Sequence, residues 1–201
     1  MKEVIVNKTL NYIIKHRKLT SYDIDIIRYG ISNLYLQISK IIVITTLAII
    51  LKIFIPYLIF TIFYNIIRMP SFGIHAKKSW HCWVSSIIFF IGFPYLLTII
   101  NLNTYVHFLI AASSIIYITI YSPADTIKRP IISRKRRTIY KIFSFIISIL
   151  YVLLSYLIKD KIVSYALLFS LVLQCIIISP ITYKIFGMPY NNYKRYVEKE
   201  V

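Results

Sequence analysis

The sequence predicts an all-α integral membrane protein of about six transmembrane helices, with an interfacial amphipathic helix at the N-terminus and a broken segment before the third span. Three observations predict it. Hydrophobic residues make up 58% of the 201 residues, mean hydropathy is positive and there are only four glycines, whereas a soluble domain is about half apolar. The apolar residues form runs close to the ~20 residues that cross a bilayer, at about 31–51, 53–67, 83–100, 104–121, 139–158 and 162–183. Lysine and arginine gather between these runs. The connections are too short for a sizeable extramembrane domain, so 1–201 reads as one polytopic membrane domain.

In chain order, residues 2–18 set Val4, Ile5, Leu10, Ile13 and Ile14 among lysines and asparagines, a rough helical stripe suited to the headgroup plane. A polar, mixed segment follows instead of a short apolar core with a small-residue cleavage site, so no cleaved signal peptide is expected. Asp23, Asp25 and Arg28 lead into the first span, where Lys40 requires a polar partner or a wet cavity. Pro56 and Pro180 are expected to kink their helices, since each removes a backbone donor. Pro70 and Gly73 argue against a straight helix from the second span into the third and predict a broken or re-entrant stretch, tolerable where it lines a wet cavity. Gly92 and Pro94 bend the third span, and Pro123 and Pro130 mark the loop after the fourth.

The formal charge of +17 points to anionic lipid headgroups, because the cations sit at span ends. Nucleic acid is set aside as a partner on the same ground. With Lys40 left out, twenty cations fall on one side of the expected spans and three on the other (Lys52, Lys159 and Lys161). The positive-inside rule then orients both termini and the connection between spans two and three to the cytoplasm of the cell membrane.

That connection carries the chemistry. It reads Arg68-Met-Pro-Ser-Phe-Gly-Ile-His75-Ala-Lys-Lys-Ser-Trp-His-Cys82, with a thiol and an imidazole seven positions apart among cations. A free thiol is only a few per cent ionised at neutral pH, and neighbouring positive charge favours the thiolate; His75, Lys77 and Lys78 supply it. On an ideal helix seven residues return to the same face but lie about 10.5 Å apart, so the break at Pro70 and Gly73 is needed to fold His75 back toward Cys82. His81 points about 100° away from its neighbour Cys82 on a helix and is the weaker base. His107, at the opposite end of the fourth span, and His16, in the interfacial helix, are not expected at the site. Zinc on His75, His81 and Cys82 fits no standard ligand spacing, and no cofactor is expected. Cys175, inside an apolar run, reads as a small packed hydrophobe and not as a disulfide partner of Cys82.

These residues resemble a known family, the AgrB-type accessory gene regulator proteins, membrane cysteine endopeptidases that process precursors of cyclic autoinducing peptides. The resemblance spans most of the chain. It rests on Arg68, Gly73, His75-Ala76 and Cys82 in the family's order, and on Ser122-Pro123-Ala124-Asp125 through Lys128-Arg129-Pro130 after the fourth span. One departure is visible: the family often has two adjacent glycines before the histidine, and here Phe72 precedes Gly73.

The resemblance implies cleavage of an AgrD-like precursor peptide in quorum sensing, with Cys82 as nucleophile and His75 as base and then acid. It implies a thioester on Cys82 that an internal nucleophile of the precursor converts to a ring. Arg68 would bind a substrate carboxylate, orient the loop or anchor the inner face. Lys128 and Arg129 belong, with Arg134, Lys135, Arg136 and Arg137, to a basic loop that attracts an acidic tail and lipid headgroups. Asp125 either orients His75 or is a salt-bridge partner of Lys128, the latter, structural part being favoured. A homodimer is expected by family analogy. Two other classes stay open at this level: a small peptide transporter or permease, and a non-catalytic membrane protein.

Overall fold

The computed structural model describes residues 2–16, 20–74, 79–126 and 130–197, and every regular element among them is a helix. The chain divides into two units, Met1–Ile49 and Ile50–Val201.

The first unit holds α1 (Lys2–His16) and nearly all of α2 (Ser21–Ile50). On α1 the buried pair is Val6 and Leu10, four residues apart, while Val4 and Ile5 are exposed. Helix α2 starts ten residues before the expected first span because Thr20 and Asp23 form a reciprocal cap. The Thr20 amide donates to Asp23 Oδ2 at 3.1 Å and the Asp23 amide donates to Thr20 Oγ1 at 3.2 Å, so two otherwise orphaned donors are satisfied. Asp23, Asp25 and Arg28 are therefore helical, not a connection. Lys40 is buried on α2.

The second unit contains α3 (Phe54–Ser71), α4 (Ser79–Ile87), a π-helical turn (Ile88–Gly92), α5 (Phe93–Ile99), α6 (Thr104–Tyr121), α7 (Arg134–Leu157), α8 (Lys161–Ile178), α9 (Pro180–Ile185) and α10 (Lys194–Val197). Side-chain caps fix several starts. Asn103 accepts from the Tyr105 amide at 2.8 Å, Asp160 from that of Val163 at 2.8 Å and Ser179 from that of Ile181 at 3.2 Å. Pro94 has no amide hydrogen to offer the preceding turn, and there the helix widens into the π register.

Two expected kinks are absent, for one reason. Pro56 lies in the first turn of α3 and Pro180 is the first residue of α9, positions where a helix has no intrahelical use for the missing donor. The last apolar run accordingly ends at Ile178, and Ser179 at φ −61°, ψ 132° separates two helices.

Helix α8 is the centre of this unit, packed against α3, α5, α6 and α7. Its sequence is apolar all round, as a buried helix requires, and Leu167, Leu168, Leu171, Leu173 and Ile178 are fully buried. An aromatic cluster ties α3 to the third apolar run and to α8: Phe60 stacks on Phe93 at 5.6 Å, Tyr64 meets Phe90 edge-on at 5.4 Å, and Phe93 meets Phe169 at 6.0 Å.

Among the described residues five helices are long and apolar enough to cross a membrane: Ser21–Ile50, Trp80–Ile99, Thr104–Tyr121, Arg134–Leu157 and Lys161–Ile178. The expected second span is the helix α3, which is not one of the five; Asn65, Arg68 and Pro70 dilute its last turns. The protein is thus an all-helical, multi-pass membrane protein.

Candidate active site

Helix α3 stops at Ser71 because the next two residues leave the helical region. Phe72 has φ 58° and ψ −137°, and Gly73 has φ 124°. The chain then runs extended, and its hydrogen bonds come from distant segments. Ala124 donates its amide to the Ser71 carbonyl at 3.0 Å, and Gly73 donates to the Ala124 carbonyl at 2.9 Å, forming a parallel bridge between Phe72 and Ala124. The Ile74 amide donates to the Ile177 carbonyl at 3.3 Å, one of the last carbonyls of α8, which lack partners within their own helix. The buried Gln174 gives its side-chain N–H to the Phe72 carbonyl at 2.9 Å. A chain broken within an apolar bundle must satisfy its backbone somewhere, and here α8 and the 122–126 segment do so.

Arg68 completes the clamp. Its guanidinium donates to Tyr64 Oη at 2.5 Å and to the Ile74 carbonyl at 3.2 Å. That carbonyl belongs to the peptide group joining Ile74 to His75. Tyr64 was missed at the sequence level, although it precedes Arg68 by four positions and so shares its helix face.

His75, Lys77 and Lys78 lie outside the described residues, as do Lys128 and Arg129, so the expected approach of His75 to Cys82 falls there. The chain resumes in α4, where Cys82 is half-buried in the first turn. Beside it, the His81 ring rests on Trp80 at 3.9 Å and meets Phe186 edge-on at 6.0 Å. The remaining histidines are engaged apart from this segment: His107 Nε2 contacts Ser155 Oγ at 3.0 Å, and His16 Nδ1 lies 2.8 Å from the Tyr12 carbonyl. Cys175 directs its thiol to the Ser114 carbonyl at 3.7 Å, inside the bundle. Among the described residues no three His, Cys, Asp or Glu side chains converge as metal ligands.

Asp125 is buried, and both its carboxylate oxygens accept from backbone amides. Oδ1 takes the Asn192 N–H at 2.9 Å; Oδ2 takes that of Tyr193 at 2.8 Å and that of Ile131 at 3.4 Å. Tyr183 Oη donates to the Asp125 carbonyl at 2.9 Å and reaches that of Ala124 at 3.3 Å. Burial first, and then the Asp125 charge, push the Tyr183 phenol up from its ordinary value, so it remains a donor. The carboxylate is thus bound by the backbone of the C-terminal segment, while the two partners expected for it, His75 and Lys128, lie outside the described residues. No local signal tied Asn192 to Asp125 across so much sequence. A serine relay backs the same loop: Ser71 Oγ and Ser122 Oγ both donate to Ser144 Oγ, at 3.0 and 2.8 Å, and Ser144 donates to the Tyr140 carbonyl at 2.8 Å.

Two stability predictions follow from these contacts. Phe72→Gly will be more stable than Phe72→Ala by about 1 kcal/mol or more, inverting the usual order by size, because the backbone there suits glycine. Thermal melting of the purified variants in one detergent checks the order, and alanine melting at or above glycine refutes it. Gly73→Ala will be more damaging than either, since a Cβ at Gly73 would stand 2.5 Å from Ile177 Cγ2. Ile177→Ala will rescue it only in part, the positive φ remaining.

Asp125→Asn turns an amide N–H toward backbone donors and should cost about 1–3 kcal/mol. Limited proteolysis will then cut the segment after Tyr190 faster than in the wild type, with unchanged cleavage in the 158–161 connection as the internal control. Equal protection of the segment in both proteins would mean that the carboxylate does not hold it.

A sequence model of the family described as accessory gene regulator B matches residues 6–178. The chain is 31% identical over 178 residues to accessory gene regulator protein B of Staphylococcus aureus, covering 88% of this chain and 92% of that one. It is 36% identical over 157 residues to the protein of the same name from Staphylococcus epidermidis, covering 77% and 79%. An AgrB-like protein of Clostridium acetobutylicum is 28% identical over 192 residues, with 94% and 89% covered. No solved structure matches. An all-helical membrane chain, matched over nearly its whole length, belongs to the accessory gene regulator B family.

Proposed function

We propose that the protein is a membrane cysteine endopeptidase that removes the C-terminal tail of an autoinducing-peptide precursor and supports its cyclisation. As a family member it takes part in the agr quorum-sensing system. The observation that carries the reading is the clamp on the peptide group entering His75, formed by Arg68 and the pinned 72–74 segment, followed by the half-buried Cys82 in the first turn of α4. The free amides of a helix's first turn favour negative charge nearby, which suits a thiolate nucleophile.

In the proposed reaction, the Cys82 thiolate adds to the scissile carbonyl carbon and the C–N bond breaks. His75, protonated by the thiol, returns that proton to the leaving amine. The precursor's acyl group is then held as a thioester on Cys82. A cysteine thiol or serine hydroxyl of the precursor attacks this carbonyl, gives its proton to His75 and releases the Cys82 thiolate. Thioester-to-thioester exchange alters little bond energy, so the product stays activated, and closure wins over hydrolysis when the internal nucleophile is near and water is kept out. We assign Arg68, Gly73 and Asp125 to positioning, and Lys128 and Arg129 to attraction of an acidic leaving tail. In this reading α3 also crosses the membrane, and the site opens to the cytoplasm together with both termini.

The test is coexpression with the small precursor, reading tail release by mass spectrometry. Cys82→Ala will abolish release, and His75→Ala will lower it about 10²–10⁴-fold. Arg68→Lys will lower kcat with little change in KM, as a lost positioning contact should; a rise in KM alone would make Arg68 a substrate clamp. Continued cleavage by Cys82→Ala would sink the protease reading.

A further inference from the structure

Apart from the clamped segment, a cavity of about 470 Å³ opens where α6 ends and α7 begins. Its walls include Tyr121 at the end of α6, Arg137, Lys141 and Ile142 on α7, and Tyr190 and Tyr193 of the C-terminal segment. Among the described residues none that lines it is acidic. The walls are held in place: Tyr193 is fixed through its amide to Asp125, and Tyr190 Oη donates to the Tyr121 carbonyl at 3.2 Å. Burial, with the neighbouring tyrosines next, pushes the Tyr190 phenol up to about 12, so it adds no negative charge near neutral pH. The Arg137 guanidinium carbon sits 3.2 Å from the centroid of the Tyr193 ring, and a guanidinium stacked on a ring keeps its N–H edge for oxygen acceptors.

From this cationic mouth two exposed apolar rows lead away along the helices. Ile120 and Ile116 continue it on α6, and Ile142 and Ile146 on α7, each pair four residues apart and each residue more than half exposed. Residues at that spacing lie above one another on a helix. Both helices are among the five that can cross a membrane, so the mouth stands at the end of two spans and the rows run into the hydrocarbon. Two cations and aromatic walls at an interface, continuous with two apolar tracks, match the division of a phospholipid into phosphate and acyl chains.

We propose that this cavity binds one anionic phospholipid, its phosphate held by Arg137 and Lys141 and its chains lying along the Ile116–Ile120 and Ile142–Ile146 rows. An acidic peptide would use the same cations but has no counterpart to the apolar rows. The lipid would bridge α6, α7 and the C-terminal segment that Asp125 secures, so it would steady the loop on which the 72–74 segment is pinned. The site does not depend on the protease reading.

The test is native mass spectrometry of the full-length protein released from detergent micelles, with added dioleoylphosphatidylglycerol or dioleoylphosphatidylcholine. The wild type will retain one phosphatidylglycerol, in preference to phosphatidylcholine by about tenfold. Arg137→Gln/Lys141→Gln will lose that preference. Arg134→Gln/Lys135→Gln, with the same charge change at exposed positions outside the cavity, will keep it. Should the double variant fold poorly, the exposed Lys141→Gln alone will weaken retention roughly threefold at an unchanged melting temperature. Equal retention of the two lipids overturns the proposal, as does an equal loss in the control variant, which would mean diffuse charge only. Glycerophosphate competing as well as the lipid would make the cavity a free-phosphate site. Binding of an oligoglutamate peptide that needs Arg137 and Lys141, without phosphatidylglycerol retention, would make it a peptide site. Either result overturns the lipid assignment.

Discussion

The structure around the candidate site depends on one constraint: a helix in an apolar bundle is made to stop, and the backbone groups it releases must be satisfied without water. Phe72 and Gly73 impose the stop by adopting positive φ. Ala124, Ile177, Gln174 and Arg68 then supply the partners. A buried unpaired backbone group costs about 1–3 kcal/mol, so losing any of these partners would favour rearrangement of the segment. The break and its four supports therefore form one unit.

That unit explains features that are puzzling singly. Gly73 is required twice, by its φ and by the side chain of Ile177 against which a Cβ would press. Gln174 is a fully buried amide on a largely apolar helix, and its hydrogen bond to Phe72 is the return for that burial. Asp125 acts one step further out, binding the backbone of Asn192 and Tyr193 while Tyr183 holds the Ala124–Asp125 carbonyls. Sequence-distant pieces from α3, the loop after α6, α8 and the C-terminus thus meet to fix three extended residues.

The sequence reveals helices where local chemistry marks their ends. The fourth apolar run, 104–121, matches α6 residue for residue because Asn103 caps it and Ser122-Pro123 ends it. It misleads where charge is read as loop: Arg134–Arg137 are helical, since Ser133 caps α7 and arginine and lysine are good helix formers. The Thr20–Asp23 cap extends α2 in the same way. Pro180 misleads because a proline ends one helix or begins another with equal ease. At the site, Gly73 signalled the break, whereas Pro70 lies inside the last turn of α3, and Arg68 was found with its role open. Its partners on α8 and in the C-terminal segment depend on tertiary pairing, which no periodicity encodes. The departure at Phe72 is informative in retrospect: where the resemblance led to the expectation of glycine, this chain holds a phenylalanine at a glycine-like φ, edge-on to Tyr140 at 4.9 Å.

A polar clamp within an apolar fold also suits thioester chemistry. An enzyme-bound thioester of the kind proposed is spared hydrolysis where activated water is kept out, yet the groups that form it need oriented dipoles and charge. A straight transmembrane helix offers neither, because its amides and carbonyls bind one another. Breaking the helix exposes backbone groups at chosen points, and returning most of them to fixed partners leaves a rigid edge instead of a wet gap. The Ile74 carbonyl, turned to Arg68, belongs to the last peptide group before His75, so the pinned backbone runs up to the residue proposed to move the proton. A flexible loop with the same residues would have to order itself at each turnover, at about 1–2 kcal/mol for every residue fixed. For residues 72–74 that ordering is built in during folding, by contacts that lie outside the reacting groups.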